Sequence, residues 1–415
     1  MSLWNDLGLK DNPYDPKPLH ITEKDRKLFI GRKENFAEFG TRVSSENGGI
    51  IIVEGGIGVG KTSFVNAFQY DCWKKKNILP TFESVQLEKD HNTVQFMLSV
   101  FSSMIHSLEK VDETGRLNRS SVHNDAKALI AKTIQSGWGG NISVLGSGVG
   151  GSRSKVISDP VAVVLPTIIN LMDKWINFVK GQSFSSVIVP IDNLDILEGK
   201  DIIEFLNRMR DYLSGRQSIW WVLISKQGLF SLLEGQAHRV SEIIIGSPIT
   251  IKPLSLKEVH EMIQTRIKNL TIKEKVIPPV PKEIVDILYD TSKGEARYIL
   301  KRCSDIIYKH ISQFPTEKII PLGIAKKMLT DMAKQKLEDS NLLDLEITRL
   351  KIMAKKDKFQ LKEYKQFKQK NAQALQWTVN KFIKLGLIIR EDTSGKAVFY
   401  RTTGDMNLLF SNIKS

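Results

Sequence analysis

The sequence predicts an α/β protein: a parallel sheet with helices on both faces, followed by a helical region and a small winged helix. Apolar runs of strand length at 50–54, 186–191 and 219–224 alternate with segments of helical periodicity, which is the pattern of a parallel sheet. Beyond residue 255 the pattern is helical almost continuously to about residue 386. Two short strands after the last helix predict the wing of a winged helix.

The composition limits the classes of protein to consider. A chain of 415 residues is long enough for two or three domains. Its net charge of +14 favours a polyanionic partner. Cys72 and Cys303 lack metal-binding spacing, so we expect buried or free thiols in a reducing compartment. No apolar leader or spanning run is visible, so we expect a cytoplasmic protein with no membrane partner.

A glycine-rich loop follows the first strand. Residues 55–62 read G-G-I-G-V-G-K-T and match the phosphate-binding pattern G-x-x-x-x-G-K-S/T. Such a loop points backbone N–H groups at phosphate oxygens, and the following helix adds a partial positive charge. Lys61 is expected between the β- and γ-phosphates, and the Thr62 hydroxyl on Mg²⁺. The loop residues predicted to bind nucleotide are Gly56, Ile57, Gly58, Val59, Gly60, Lys61, Thr62 and Ser63.

Polar residues end the two later strands. Asp192 follows the run 186–191 and is the candidate Walker B carboxylate, holding Mg²⁺ opposite Thr62. The next residue is Asn193, which cannot accept a proton from water, so slow hydrolysis is expected. Asp195 is the candidate base, with a helix N-cap or turn role as the equal alternative. Ser225 either senses the γ-phosphate or caps its loop.

The C-terminal segment is predicted to form three helices and two strands. We predict helices at 342–354, 361–367 and 372–385, and strands at 387–390 and 397–401. A turn at 392–395 joins the two strands.

Lysines are dense in that segment, with Asp357 and Glu363 as the few acidic residues among them. The lysines are Lys351, Lys355, Lys356, Lys358, Lys362, Lys365, Lys368, Lys370, Lys381 and Lys384. Lysines give mostly sequence-independent affinity for DNA phosphates. Four side chains on the exposed side of the third predicted helix are expected to reach the base edges of DNA: Gln373, Gln376, Asn380 and Lys381. The alternative is a winged helix that packs on the rest of the chain and touches no DNA.

These pieces, in this order, resemble the AAA+ and STAND branch of P-loop ATPases, in particular the origin-recognition-type initiator ATPases and the ATPases that regulate transposition. Residues 29–34 are similar to the F-x-G-R-x-x-E motif of the adenine pocket, which implies that Ile30, Gly31 and Arg32 bind nucleotide. Residues 253–258 with Arg266 resemble the start of the family's helical lid.

Residues 294–297 read G-E-A-R and resemble the sensor 2 motif G-D/E-x-R. The resemblance implies that Arg297 contacts the γ-phosphate through charge-assisted hydrogen bonds; a surface arginine is the alternative. Ser225 takes the sensor 1 position. Two positions depart from the family pattern: Asn193 replaces the usual Glu, and the arginine-finger region reads R-V-S-E from Arg239. Arg239 could substitute for the finger.

The resemblance implies three domains: a P-loop AAA+ three-layer core at 1–253, an α-helical lid at 254–335 and a winged helix at 336–415. The core carries a Gly/Ser-rich insert at about 110–159, of which 137–152 is either a flexible loop or a hairpin that contacts a partner.

The function implied is a weak ATPase that binds ATP or ADP with Mg²⁺. It would bind DNA through its winged helix and change its conformation or self-assembly with nucleotide state. The alternative is a STAND-type signalling or defence ATPase, whose nucleotide-gated oligomerisation acts on a protein partner without DNA.

Overall fold

Most of the chain is described by a computed structural model. The described ranges are 3–87, 92–113, 115–135, 161–194, 197, 199–272, 276–392 and 398–411. The predicted loop or hairpin at 137–152 lies outside them, as do Asp195 and most of the turn predicted at 392–395.

Within the described residues, six parallel strands form the central sheet, in the order β2-β4-β5-β1-β6, with β3 paired to the end of β4 next to β2. The strands are β1 (Gly49–Gly55), β2 (Ile78–Pro80), β3 (Val85–Gln86), β4 (Ser186–Asp192), β5 (Ile219–Ser225) and β6 (Ile249–Ile251). The carboxyl ends of parallel strands meet at one edge, so the register sets Gln86 beside Asp192 and Glu54 beside Ser225. The predicted strands are confirmed, and this edge gathers their polar ends.

Helices cover both faces of the sheet, which confirms the predicted three layers. The helices up to residue 253 are α1 (Leu3–Asp6), α2 (Glu23–Leu28), α3 (Lys33–Ser45), α4 (Lys61–Lys76), α5 (Thr93–Val111), α6 (Ser121–Gln135), α7 (Val161–Gly181), α8 (Lys200–Ser214), α9 (Leu229–Gln236) and α10 (His238–Ser241). Side chains alternate along a strand: Ile50 and Ile52 pack in the cluster that contains α5 to α9, and Ile51 and Val53 in the cluster of α3 and α4.

The described part of the predicted insert at 110–159 contains the helix α6 (Ser121–Gln135). Ala126 and Ile130 are buried, and both join the core cluster that also contains α5 and α7. Their spacing, together with Val122 and Leu129, is helical. The helix was not predicted, because its short amphipathic pattern was grouped with the glycine-rich residues that follow it.

Beyond the sheet lie α11 (Leu256–Leu270), α12 (Lys282–Ser292), α13 (Ala296–Gln313) and α14 (Leu322–Asp339). The N-terminal segment packs on these helices rather than on the sheet. Trp4, Leu9 and Tyr14 belong to their core cluster, and Lys10 N–H donates to the carbonyl of Leu270 at 2.7 Å. The domain boundaries stay predictions. They assign the N-terminal segment to the P-loop core at 1–253, whereas its contacts are with the helices of the predicted lid.

The C-terminal segment has its own core and the element order predicted for a winged helix. It contains α15 (Asp344–Ala354), a 3₁₀ turn (Leu361–Phe367), α16 (Ala372–Lys384), the antiparallel pair β7 (Ile388–Asp392) and β8 (Val398–Thr402), and α17 (Gly404–Phe410). The second predicted helix is thus a 3₁₀ turn, and α17 was not predicted. Leu350, Phe382 and Met406 are buried together in this core.

A buried ionic network fixes α17 to the lid helices. The carboxylate of Asp405 accepts hydrogen bonds from Arg302 at 2.7 and 2.9 Å, Lys336 at 3.0 Å and the Tyr298 hydroxyl at 2.8 Å. The Asn407 side chain donates to the carbonyl of Thr291 at 2.7 Å. Lid and C-terminal segment are therefore closely docked. Across the described ranges, no helix has the length and apolarity needed to cross a membrane.

Candidate functional site

A cavity of about 410 Å³ lies at the carboxyl edge of the sheet, within the range of ligand pockets. Four parts of the chain supply most of its lining: the loop between β1 and α4 with the ends of β3 and β4, the lid helices α11 and α13, residues 28–32, and the N-terminal segment at 16–19. The sequence analysis predicted residues from the first three parts. It missed the fourth, because 16–19 carries no motif.

The loop of residues 55–62 has the conformation that its glycines allow. Gly58 and Gly60 have φ of +73° and +93°, in the left-handed region that favours glycine. Gly60 directly precedes α4, so the N-terminal N–H groups of that helix face the cavity side of the loop. The Lys61 ammonium donates to the carbonyls of Gly55 at 2.9 Å and Gly56 at 3.0 Å. The loop is thus curled around its lysine.

The Thr62 hydroxyl and the Asp192 carboxylate meet across the cavity floor. Thr62 Oγ1 donates to Asp192 Oδ2 at 2.9 Å. The other carboxylate oxygen accepts the N–H of Asn193 at 2.8 Å, with Asn193 in a left-handed conformation of φ 59°. A hydroxyl and a carboxylate are oxygen donors of the kind Mg²⁺ takes from a protein when phosphates and water complete its shell. The pair fits a Mg²⁺ site shared with a nucleotide.

Among the described residues, Ser225 is the predicted catalytic residue that does not line the cavity. Ser225 is buried and its hydroxyl donates to the carbonyl of Lys226 at 3.0 Å, while Ile224 lines the cavity instead. Asp195 falls outside the described residues. The sensor role of Ser225 and the base role of Asp195 both stay predictions.

A buried carboxylate behind the loop was missed from the sequence. Glu54 accepts the N–H groups of Gly228 at 3.1 Å and Phe230 at 2.8 Å. Burial raises the pKa of Glu54, and these donors oppose the rise. The carboxylate holds the first turn of α9 behind the P-loop. A single acidic residue at the end of an apolar strand was the only signal for it.

The apolar end of the cavity contains the motif at 29–34. Phe29, Ile30 and Arg32 line it, and Arg32 Nη2 donates to the carbonyl of Val59 at 3.2 Å. Burial lowers the pKa of Arg32, partly offset by Glu258. Gly31 packs instead on Glu258, where a β-carbon would lie 3.2 Å from Oε1. Ile30 and Arg32 are therefore at the site, and Gly31 supports them.

The N-terminal segment is tied to both walls. Leu19 N–H donates to Ser63 Oγ at 3.1 Å, and the Asn66 side chain donates to the Leu19 carbonyl at 2.8 Å. On the lid side, buried Arg266 donates to the carbonyl of Asp15 at 2.8 Å. Burial lowers the pKa of Arg266 to about 10. The lid arginine of the sequence motif thus holds this segment over the cavity.

Arg297 stands in the first turn of α13 and lines the cavity on the lid side. Its backbone N–H donates to the carbonyl of Gly58 at 3.3 Å. One cavity therefore brings together the predicted residues Ile30, Arg32, Ile57, Gly58, Val59, Gly60, Lys61, Thr62, Ser63, Asp192 and Arg297. A bound polyphosphate there would touch the core and the lid at once.

The exposed face of α16 is a second candidate surface. Gln373, Gln376, Asn380 and Lys381 are exposed as predicted. The Lys381 ammonium, however, lies 2.7 and 2.8 Å from the two carboxylate oxygens of Glu346. Trp377, which the sequence interpretation missed, is 73% exposed on the same helix. A tryptophan so exposed is unusual, since this side chain is highly buried on average.

The sequence model for the KAP family P-loop domain matches residues 32–277. Among solved structures, the ORC2 protein of Aeropyrum pernix in ADPNP–ADP complexes aligns over 96% of this chain and 95% of its own, with 10% identity and a TM-score of 0.50. The Walker-type ATPase PABY2304 of Pyrococcus abyssi aligns over 96% and 99%, with 12% identity and a TM-score of 0.51. At such identities the similarity concerns the fold alone. No curated protein matches the chain.

Proposed function

The chain belongs to the KAP family of P-loop NTPases, and on this premise we propose that it is an ATP-dependent switch that binds DNA through its winged helix. The observation that carries the proposal is that Lys61, Thr62 and Asp192 of the core line the same cavity as Arg297 of the lid. A ligand that touches both core and lid stabilises the conformation that brings them together.

The residues of the cavity divide the work of binding ATP. Lys61 exchanges the carbonyls of Gly55 and Gly56 for β- and γ-phosphate oxygens. Thr62 and Asp192 hold Mg²⁺, which neutralises phosphate charge when bound. Arg297 donates charge-assisted hydrogen bonds to the terminal phosphate. The terminal phosphate gives ATP contacts with Lys61 and Arg297 that ADP lacks, so ATP and ADP favour different positions of the lid.

Slow hydrolysis fits the groups around this cavity. Asn193 carries an amide and cannot serve as a base. Glu54 is a carboxylate, but the N–H groups of α9 engage both of its oxygens. Asp195 remains the candidate base. A slow chemical step suits a switch, because the ATP-bound state then persists long enough to act on a partner.

DNA is the proposed partner because of the charge of residues 336–415. They contain 16 Lys and Arg against nine Asp and Glu, a net +7, which is half of the charge of the chain. Phosphate neutralisation by such residues dominates DNA affinity. The exposed helix α16 carries Gln373, Gln376 and Asn380, side chains that pair with base edges in a major groove.

The experiment is binding of labelled duplex DNA without nucleotide, with ADP, and with a non-hydrolysable ATP analogue, at low and moderate salt. We expect the analogue to tighten binding, and Lys61→Ala to remove that effect while leaving the basal DNA affinity. Equal DNA affinity in all three nucleotide states, together with unchanged assembly, would contradict the switch.

A second candidate function is nucleotide-gated self-assembly that acts on a protein partner. Two observations favour it: Trp377 is exposed, and Glu346 neutralises Lys381 on the same face. Exposed tryptophans are enriched among protein–protein hot spots. Arg239 is exposed on α10, in a position to serve as a finger for a neighbouring copy. Analogue-dependent oligomers with no DNA affinity in any state would favour this second function.

A further inference from the structure

The C-terminal segment reaches the nucleotide cavity through one ion pair. Arg401 on β8 places Nη2 3.5 Å from Oε2 of Glu295. Glu295 immediately precedes α13, and the next two residues, Ala296 and Arg297, line the cavity. Arg401 is only 8% exposed. A charge of the winged helix is therefore buried next to the residues that would meet the terminal phosphate.

The side chain of Glu295 rests directly on the apex of the P-loop. A β-carbon built at Gly58 would lie 2.7 Å from Cγ of Glu295 and 2.8 Å from Oε1. The backbone bond from Arg297 to the Gly58 carbonyl closes the same contact. Since the loop wraps the phosphates, a carboxylate at this position lies close to any bound polyphosphate.

The guanidinium of Arg401 contacts two carboxylates. Nε donates to Glu391 on the neighbouring strand β7, and Nη2 faces Glu295. Nη1 is buried and has no hydrogen-bond partner among the described residues. Burial raises the pKa of Glu295, and Arg401 opposes the rise. Arg401 thus stabilises the charged form of a carboxylate that packs on the loop, and the charge of Arg297 adds a smaller stabilisation.

We infer that Glu295 repels the terminal phosphate, and that Arg401 is a positioning residue of the C-terminal segment that neutralises this repulsion. The inference rests on the proposed function, since it concerns the same nucleotide site. ATP carries more negative charge than ADP, so Glu295 disfavours binding of ATP more strongly than binding of ADP. When Arg401 lies beside Glu295, its positive charge reduces this repulsion, and ATP can bind. By linkage, ATP then strengthens the docking of β8, and a ligand that moves β8 changes the preference for ATP over ADP.

The test is the affinity of ADP and of a non-hydrolysable ATP analogue for wild type, Arg401→Gln, Arg401→Lys and Glu295→Gln. Arg401→Gln should lower the affinity for the ATP analogue about tenfold and the affinity for ADP much less, since one unscreened charge interaction near the loop is removed. Arg401→Lys keeps the charge and should restore most of the affinity. In the Glu295→Gln background, Arg401→Gln should leave the ratio of the two affinities unchanged.

Lys293→Gln is the matched control. It removes another ion pair between lid and C-terminal segment, the exposed pair of Lys293 and Asp357 at 2.9 Å. We expect it to leave the ratio of ATP-analogue to ADP affinity unchanged. An equal effect of Lys293→Gln and Arg401→Gln would overturn the inference, because general docking would then explain both.

Hydrogen exchange of the β8 amides provides the readout at the winged helix. In wild type the analogue should slow exchange relative to ADP, and Glu295→Gln should abolish that difference. Nucleotide-independent exchange in wild type, or equal effects of Arg401→Gln on both nucleotides, would overturn the inference alone. A wild-type protein that binds neither nucleotide would overturn the proposed function as well.

Discussion

At the scale of single residues, Gly58 shows how the loop and the lid fit together. Its φ of +73° is unfavourable for any side chain, and Glu295 occupies the space where a β-carbon would stand. Two independent constraints, one in the backbone and one in packing, thus require glycine at this motif position.

Gly58→Ala should weaken binding of the ATP analogue at least tenfold while costing about 1–3 kcal/mol of unfolding free energy, the usual cost of a strained backbone. Calorimetric titration and chemical denaturation measure the two effects. Gly235→Ala is the control, because Gly235 lies inside α9 with open space at its β-carbon position. Adding Glu295→Ala should restore part of the affinity. Undiminished nucleotide binding by Gly58→Ala would refute the close contact.

At the scale of elements, α17 owes its position to one carboxylate. Asp405 is buried with Arg302, Lys336 and Tyr298 around it. Burial raises the pKa of Asp405. The hydrogen bonds and charges of Arg302 and Lys336 lower it by more than burial raises it, so the net pKa is below its usual range. A buried ion pair stabilises little by itself, yet its disruption leaves uncompensated charges.

Asp405→Asn should therefore lower the free energy of unfolding by about 3 kcal/mol at neutral pH. The folded pKa lies below the unfolded value of about 3.9, so this stabilisation is present above about pH 4 and is lost as the pH falls through the folded pKa. Wild type should lose stability in that acid range more steeply than the variant. Urea denaturation between pH 2.5 and 7 measures both, with the mostly exposed Asp211→Asn as control. Parallel pH curves for wild type and Asp405→Asn would contradict this account.

Elements with strong periodicity of their own were predictable, but the bounds of short ones were not: one strand is expected near 80–87, and the structure has β2 and β3 there. The strand β1 and the helix α5 have long apolar patterns that fix them locally. By contrast, β3 has two residues and β6 three. Their strand conformation depends on the neighbours β4 and β1, to which they are hydrogen-bonded. Local sequence carries no signal for such pairing.

At the scale of the whole molecule, charge is concentrated where DNA binding is proposed. Exposed Lys370 precedes α16, exposed Lys384 is its last residue, and Trp377 lies between them on the exposed face of the helix. Lysine contacts with phosphate release counterions, whereas an aromatic contact does not. The two kinds of residue can therefore be separated by salt.

Lys370→Ala with Lys384→Ala should weaken duplex DNA binding and reduce the slope of log affinity against log salt by roughly 0.9 for each phosphate that is no longer neutralised. Trp377→Ala should weaken binding and leave that slope unchanged. Fluorescence anisotropy at several salt concentrations measures both quantities. Lys24→Ala, in the N-terminal segment beside Asp11, is the control for a general decrease in positive charge. An unchanged slope in the double lysine variant would argue against phosphate binding at α16.

The sequence by itself determined the P-loop, the long strands with Asp192 at the end of one, and the helix that begins near Arg297. Each of these is encoded in a contiguous stretch of residues, whose backbone chemistry and periodicity act locally. Only the tertiary structure decided that 16–19 lines the cavity, that Glu54 holds α9, and that Arg401 lies beside Glu295. Such contacts join residues far apart in the chain, and they exist only because packing of the sheet, lid and C-terminal core brings them within reach.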